Sequence, residues 1–374
     1  MTFDYDVAII GAGAVGLAVG RKLVAHYPSL VVLERHEHFG EETSSRNSEV
    51  IHGGIYYPRG SLKAELCTRG RELLYDLCKQ ADIPHQKTGK IIVATDSDEE
   101  QRVHELFHQA QQNGVPGMRL LSSKEVKELE PAVSCTLGLL SPETGIIDAH
   151  SLMRHCASTI KEQGGDLAYG TELIGAERLT EGYKLTVHDH EDETYDFTTR
   201  FVINAAGLDC DTVASLFDID VEKCGYELHY AKGNYFRYSG PSLGINKLIY
   251  PVPGPASLGI HLVLDLAGQY RFGPDIQFLN NRKQNYNVDN LRLDDFYIAI
   301  HKYLPQIDKE QLHAGFSGIR PKLTVKGEKA RDFVINHEEG MGLPGLVNLI
   351  GIESPGLTSC LAIAERVAEL LIPA

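Results

Sequence analysis

No run of apolar residues in this 374-residue sequence approaches the ~18 that a membrane-spanning helix needs, so no transmembrane segment is expected. No C-x-x-C pair occurs among the seven cysteines (Cys67, Cys78, Cys135, Cys156, Cys210, Cys224 and Cys360), and their number is odd. That argues against a disulfide framework and a zinc site, and for a reducing compartment. Positive charge is short: 36 Lys and Arg against 51 Asp and Glu give a formal net charge of −15. A protein that tracks a nucleic-acid backbone needs a basic face, so nucleic acid is disfavoured as a partner. An anionic substrate would need a local cluster of cations. The chain enters an apolar strand within six residues and carries no basic leader. No signal or transit peptide is therefore expected. The expected location is cytoplasmic, with room for a peripheral contact at the inner face of the membrane.

Hydrophobic residues make up 43% and charged residues 23%, an ordinary globular balance, and the length suits two domains. Strand and helix signals alternate, which predicts an α/β fold. Val7 to Ile10 reads as a strand, followed by a helix through Leu17, Leu23 and Val24, then a strand from Leu30 to Leu33. Residues 61–80 look helical, with Leu62, Leu66, Leu73 and Leu77 on one face. Ser97 with Glu100, and Ser122 with Glu125, read as capping boxes. Asp148 is placed to cap a helix ending at Gly164-Gly165. Tyr183–Val187 and Phe197–Asn204 read as strands, and Leu357 to Leu371 as a closing helix. From about 226 to 330 the strands shorten and Tyr, Gly and Pro become frequent, which predicts an antiparallel sheet in a second domain of α+β type. The expected partition is discontinuous. Residues 1–80, 145–225 and 331–374 form a Rossmann-like cofactor domain, and 81–144 and 226–330 a mostly antiparallel substrate domain.

The sharpest motif is Gly11-Ala12-Gly13-Ala14-Val15-Gly16, directly after a strand and before a helix. Gly11 permits the tight turn, Gly13 lets the backbone approach a pyrophosphate, and Gly16 lets helix and strand pack closely. The helix N-terminus offers N–H groups to phosphates. Glu34 ends the next strand, 18 residues past Gly16, where a carboxylate can take both ribose hydroxyls; Arg35 follows it. A second match, Gly340-Met341-Gly342-Leu343-Pro344-Gly345, precedes a strand and reads as a hairpin turn. One dinucleotide site remains; a flavoenzyme reduced by NAD(P)H would need a second, so if this site holds a flavin dinucleotide the electrons are expected to come from the substrate.

The stretch Thr43-Ser44-Ser45-Arg46-Asn47-Ser48-Glu49-Val50-Ile51-His52-Gly53-Gly54-Ile55-Tyr56-Tyr57 resembles the L-2-hydroxyglutarate dehydrogenase/oxidase family, within the D-amino-acid oxidase-like flavoproteins. The resemblance continues through Pro142–Asp148, Ile249–Pro253, Gly259–His261 and Gly318–Pro321, and covers nearly the whole chain. It implies FAD as cofactor and oxidation of a 2-hydroxy dicarboxylate to a 2-oxo acid. Amino-acid (glycine or sarcosine type) and glycerol-3-phosphate oxidoreductases of the same fold are the alternatives, and a non-catalytic flavin-binding protein a remote one. Oxygen or a membrane quinone would accept the electrons.

Candidate site residues follow from chemistry and resemblance together. Thr43, Ser44, Asn47 and Ser48 are expected along the pyrophosphate and flavin edge. His52, beside Gly53, titrates near neutrality and suits the base that takes the hydroxyl proton, and His261 is its rival. Arg320, after Gly318, offers a two-pronged fit to a carboxylate, with Lys232 a second cation and Tyr57 and Tyr250 as donors. Ala206 and Gly207 follow a strand as small residues under the cofactor, and Leu173 resembles the position that meets adenine. Gly351, Ser354, Pro355, Gly356, Leu357 and Thr358 lead into the last helix, whose positive end would face the flavin. The pairs His36/His38 and His188/His190 read as solvated side chains, not metal ligands.

Overall fold

The computed structural model describes residues 2–254 and 259–372. An eight-stranded sheet runs in the order Glu172–Arg178, Tyr183–His188, Thr194–Asn204, Tyr5–Ile10, Leu30–Glu34, Asp166–Tyr169. Leu346–Ile350 adds to the Thr194–Asn204 strand, and Val334–His337 adds to it in turn. The central ladders are parallel. Parallel strands are covered on both faces, which explains why Val7–Ile10 and Leu30–Leu33 are unbroken apolar runs. Alternation sends Val7 and Ile9 to one core, with Leu17, Leu66, Ile363 and Val367. Ala8 and Ile10 enter another, with Leu185, Phe217 and Tyr226.

The helices match the periodic reading closely at their ends. Ala14–Leu23, Leu62–Gln80 and Gly356–Leu371 pack together on one face of this sheet. The buried stripe of Leu62–Gln80 is turned relative to the expected leucine face. It carries Lys63, Cys67, Gly70, Arg71, Leu74 and Cys78 along with Leu66 and Leu77, while Leu73 is only partly buried. Two cations can lie in it because each has a polar partner. Lys63 Nζ reaches Glu353 at 3.2 Å and the Arg331 carbonyl at 3.0 Å, and Arg71 Nη1 donates to the Gly53 carbonyl at 3.1 Å.

A nine-stranded sheet, antiparallel in all but one ladder, is built from Lys90–Ala94, Arg119–Ser122, Leu137–Ser141 and the strands between His229 and Lys322. Its core gathers Ile91, Val93, Phe236, Phe272, Phe296 and Tyr303. Three two- or three-residue strands, Val50–Ile51, His85–Gln86 and Gly145–Ile147, form a small third sheet. The Ser122/Glu125 capping box is present in both halves, and Asp148 caps its helix through the Ser151 N–H. The other expected box is corrected by one residue. Asp96 caps the helix Ser97–Gln112, because its carboxylate accepts from both Asp98 and Glu99 N–H groups, and Glu99 turns back to Thr95. Gly340–Gly345 lies in the turn of the Val334–His337/Leu346–Ile350 hairpin, as its position before a strand implied.

Candidate active site

A cavity of about 1060 Å³ runs along the carboxyl end of the parallel strands and into the face of the nine-stranded sheet. That is the upper end of ordinary small-molecule sites, about 300–1,000 Å³. Its first end is built by the glycine turn. Gly11 has φ +104°, and a Cβ there would come within 2.6 Å of the Ala205 carbonyl oxygen. Only glycine lets the two strand ends approach so closely while the chain turns. Gly13, Ala14 and Val15 line the cavity; Gly16 does not, and packs its Cα on the Gly11 carbonyl. Glu34 is buried and its carboxylate braces the turn, accepting from Ala12 N–H at 2.9 Å and His36 N–H at 3.0 Å. Arg35 bridges Glu42 and Asp209, the latter at 2.8 Å, and these carboxylates hold its charge firmly against partial burial. Leu173, Ala206 and Gly207 complete this end.

The middle is the loop 43–49. Ser44 Oγ accepts from Ala14 N–H at 2.9 Å and so caps the first helix. Thr43 donates to the Ile319 carbonyl, and Ser48 pairs with the Tyr235 hydroxyl at 2.9 Å. Asn47 bonds its own turn on both sides, to the Thr43 and Ser44 carbonyls and from Glu49 N–H. The short polar side chains thus shape this loop first. It lies against the strand Leu312–Lys322 at Gly318, where a Cβ would sit 2.0 Å from the Arg46 carbonyl oxygen.

The far end is a chamber lined by His52, Tyr56, Tyr57, Tyr235, Tyr250, His261 and Arg320. Arg320 donates one N–H to the Asp275 carbonyl at 3.1 Å. His261 stacks on Tyr250 with ring centres 3.5 Å apart and planes 10° from parallel. His52 shows part of its ring to the cavity, has a buried Nδ1 without a hydrogen bond, and places Nε2 3.4 Å from Ser354 Oγ. Burial, with the Lys90 charge behind it, pulls its pKa down to about 3, so the ring is neutral at physiological pH. Burial pushes the Tyr57 and Tyr250 hydroxyls up, so both remain donors. Beside them Glu353 is shared by Lys63 and Lys322. Burial alone would raise its carboxyl, but the two ammoniums outweigh that and hold it below the usual range.

Several expected positions are corrected. Lys232 does not face the cavity. Strand alternation points Gly233 and Tyr235 inward, and the Lys232 ammonium bonds the Asn287 carbonyl on the other face. Thr358 is fully buried; its hydroxyl donates to the Val50 carbonyl and accepts from His52 N–H, tying the last helix to the His52 segment. Gly351 and Gly53 also stand behind the lining, whereas Ser354, Pro355, Gly356 and Leu357 form it. His36 is not a solvated loop histidine: it lines the cavity and meets Glu42 at 3.0 Å. Residues not foreseen include Arg46, whose guanidinium stacks 4.1 Å over Tyr286, and Tyr56, Tyr235, Lys63, Lys322 and Glu353. Tyr235 was within reach of sequence reasoning, since period-2 alternation pairs it with Gly233.

The glycine turn, the buried carboxylate at the end of the second strand and the long cavity beyond them fit a flavin dinucleotide. Residues 6–370 match the family model described as FAD dependent oxidoreductase, and the chain belongs to that family. It is 41% identical to the mitochondrial L-2-hydroxyglutarate dehydrogenase of Arabidopsis thaliana, over 97% of this chain and 83% of that protein. It is 30% identical to the human protein of the same name, over 98% and 89% of the two chains. The fold is that of L-alpha-glycerophosphate oxidase from Mycoplasma pneumoniae, solved with FAD bound, at a TM-score of 0.88 and 24% identity over 99% of this chain and 95% of that one. Among the described residues no helix is long and apolar enough to cross a membrane.

Proposed function

We propose that this chain oxidises L-2-hydroxyglutarate, or a close 2-hydroxy acid, to the corresponding 2-oxo acid. The observation that carries this reading is Arg320. Its guanidinium commits one N–H to a backbone carbonyl and lines the same chamber as two histidines and four tyrosines. A fixed, planar donor pair suits a carboxylate. Similarity along almost the full length to dehydrogenases named for L-2-hydroxyglutarate supports the substrate class. Either His52 or His261 takes the proton of the substrate hydroxyl; burial keeps His52 neutral, but a pKa of about 3 makes it a weak acceptor, which favours His261 as the base and leaves His52 to contact the hydroxyl or the flavin. Tyr57 and Tyr250 remain protonated and serve as donors to the substrate's oxygens.

FAD, when bound, supplies the hydride acceptor. Gly11, Gly13, Ala14, Val15, Glu34, Arg35, Leu173, Ala206 and Gly207 would hold its ADP half. The loop from Thr43 to Ser48, with His52, Gly318 and the stretch Ser354–Leu357, would hold the flavin half. The domain partition given above is part of the proposal. It is supported by the strands: all of the eight-stranded sheet fall in the cofactor set and all of the nine-stranded sheet in the substrate set. The acceptor is oxygen or a membrane quinone. The relatives carry a mitochondrial designation. For this chain, whose seven cysteines are free thiols, we place the enzyme in a reducing cytoplasm. A peripheral contact at the inner face of the membrane is part of the proposal, and Leu291 and Ile298 are exposed apolar side chains that could serve it.

Anaerobic mixing of the FAD-loaded protein with millimolar L-2-hydroxyglutarate should bleach the visible flavin band. Glycerol 3-phosphate, glycine and sarcosine are run in parallel, because a glycerol 3-phosphate dehydrogenase of Caloramator mitchellensis is also 29% identical over 98% of this chain. Bleaching by one of these and not by 2-hydroxy acids would overturn the assignment. Silence with all of them would point to a flavin-binding protein without catalysis.

A further inference from the structure

Lys90 is a buried cation with no anion beside it among the described residues. It opens the strand Lys90–Ala94 and is 1% exposed. Among the described residues no carboxylate lies within 4.0 Å of its ammonium, and burial and the Cys67 thiol are the influences on its charge. Two tyrosines hold it instead. Its Nζ lies 4.5 Å from the ring centres of both Tyr56 and Tyr250 and donates to the Tyr56 hydroxyl at 3.3 Å. Both tyrosines line the chamber, and Lys90 stands behind them. An isolated buried ammonium is strongly unfavourable, and aromatic faces offset only part of that.

We propose that Lys90 is the positioning residue that makes this chamber select a substrate with a second carboxylate, acting through Tyr56 and Tyr250. The proposal rests on the 2-hydroxy dicarboxylate reading above. Because Lys90 donates to the Tyr56 oxygen, the Tyr56 proton is left to be donated into the cavity. Burial holds that hydroxyl well above its ordinary range, so it stays a donor. Arg320 and Tyr56 then supply one site for each carboxylate, and the substrate's second charge is the counter-ion that Lys90 lacks.

The titratable or charged groups around Lys90 are Tyr56 from the loop after Val50–Ile51, Cys67 and Arg71 from the helix Leu62–Gln80, Tyr250 from the strand Leu248–Pro251 with His261 stacked on it, and His52. Tyr56, Tyr250, Cys67 and His52 are uncharged at neutral pH: burial raises the tyrosines, raises Cys67 to about 12, and lowers His52 to about 3, so none of them supplies Lys90 with an anion. Burial also brings Lys90 down to about 7, so in the open chamber it sits near half-protonation. A carboxylate arriving in front of Tyr56 favours the charged form again. Binding of a dicarboxylate should therefore take up protons just above pH 7.

The test compares the FAD-loaded wild type with Lys90→Gln on L-2-hydroxyglutarate and on L-2-hydroxypentanoate, which has a methyl group where the second carboxylate would be. Two charges on either side of one tyrosine ring, about 9 Å apart at an effective dielectric of about 20, correspond to roughly twentyfold. The KM for the dicarboxylate should rise by that factor in Lys90→Gln, with kcat little changed and the monocarboxylate KM unmoved. Binding of 2-oxoglutarate to the wild type at pH 7.5 should consume protons from a weakly buffered indicator solution, and the variant should not. Lys90→Arg should keep the preference. If Lys90→Gln does not yield flavin-loaded protein, Tyr56→Phe removes the relay hydroxyl and should weaken the same preference. Preserved discrimination and proton uptake in Lys90→Gln, or in Tyr56→Phe, would overturn the role of Lys90 alone. A wild type without any dicarboxylate preference would overturn the substrate reading and this inference together.

Discussion

Replacing Gly318 with alanine tests whether the contact between the 43–49 loop and the strand Leu312–Lys322 organises the site. A Cβ on Gly318 would lie 2.0 Å from the Arg46 carbonyl oxygen and 3.2 Å from Arg46 Cβ. Ordinary contact requires about 3.4 Å or more between such atoms, so one backbone must retreat by roughly 1.4 Å. Neither side is a flexible side-chain tip. The loop is pinned by Ser44 on the first helix and Thr43 on Ile319, and the strand is laddered to His229–Tyr238. Overpacking of this kind costs about 1–3 kcal/mol, which converts to a loss of FAD affinity between about 5-fold and 150-fold. The same shift separates the loop from Arg320, two residues along the strand. A misplacement of about 1 Å in a reacting geometry is worth about a hundredfold in rate. FAD affinity is measured by titrating apoprotein and following flavin fluorescence, and the reductive step by anaerobic stopped flow. Gly340→Ala is the control, since nothing lies within 4 Å of an added Cβ there. A Gly318→Ala protein with wild-type FAD affinity and wild-type reduction would refute the idea that this contact sets the site.

Three further outcomes follow from particular contacts. Thr358→Val should lose about 1–3 kcal/mol of stability in urea titration, because the buried His52 N–H loses its acceptor while the shape is kept; Thr358→Ser should restore most of it. Glu353→Gln leaves the Lys63 and Lys322 ammoniums without their shared carboxylate and should cost about 3 kcal/mol, read as a lowered Tm. His52 has a folded pKa of about 3 against 6.5 for the free side chain, so the unfolded chain binds more protons between those values. Its contribution to stability is complete above pH 6.5 and is lost as pH falls toward 3, so the difference in stability between pH 7 and pH 5 should shrink in His52→Gln.

Much of the cofactor end was legible in the sequence, because its determinants are local. A glycine turn between a strand and a helix, and a carboxylate one strand later, occupy 24 consecutive residues from Gly11 to Glu34. Backbone geometry alone brings Glu34 to the Ala12 N–H. The strand and helix ends at Ile10, Gln80, Asn204 and Leu371 were likewise marked by apolar periodicity and caps. The chamber was legible only as a set of residue types. Lys232 carries the right charge, yet the pleat of its strand turns it away and presents Tyr235 instead. Thr358 was expected at the ligand and serves as a buried tie.

The class of site is written in local sequence patterns: a dinucleotide turn with its acid, a second, mostly antiparallel sheet, and histidines and an arginine of the right chemistry. Those follow from short-range patterns that any fold of this chain must respect. Which charges act depends on long-range packing. Lys90 and Glu353 lie 263 positions apart and neither belongs to a motif. One is buried against two chamber tyrosines, and the other is held between two lysines at the chamber wall. Burial and neighbouring charge set the protonation of a group, and both are made by residues that meet only when the two sheets are packed.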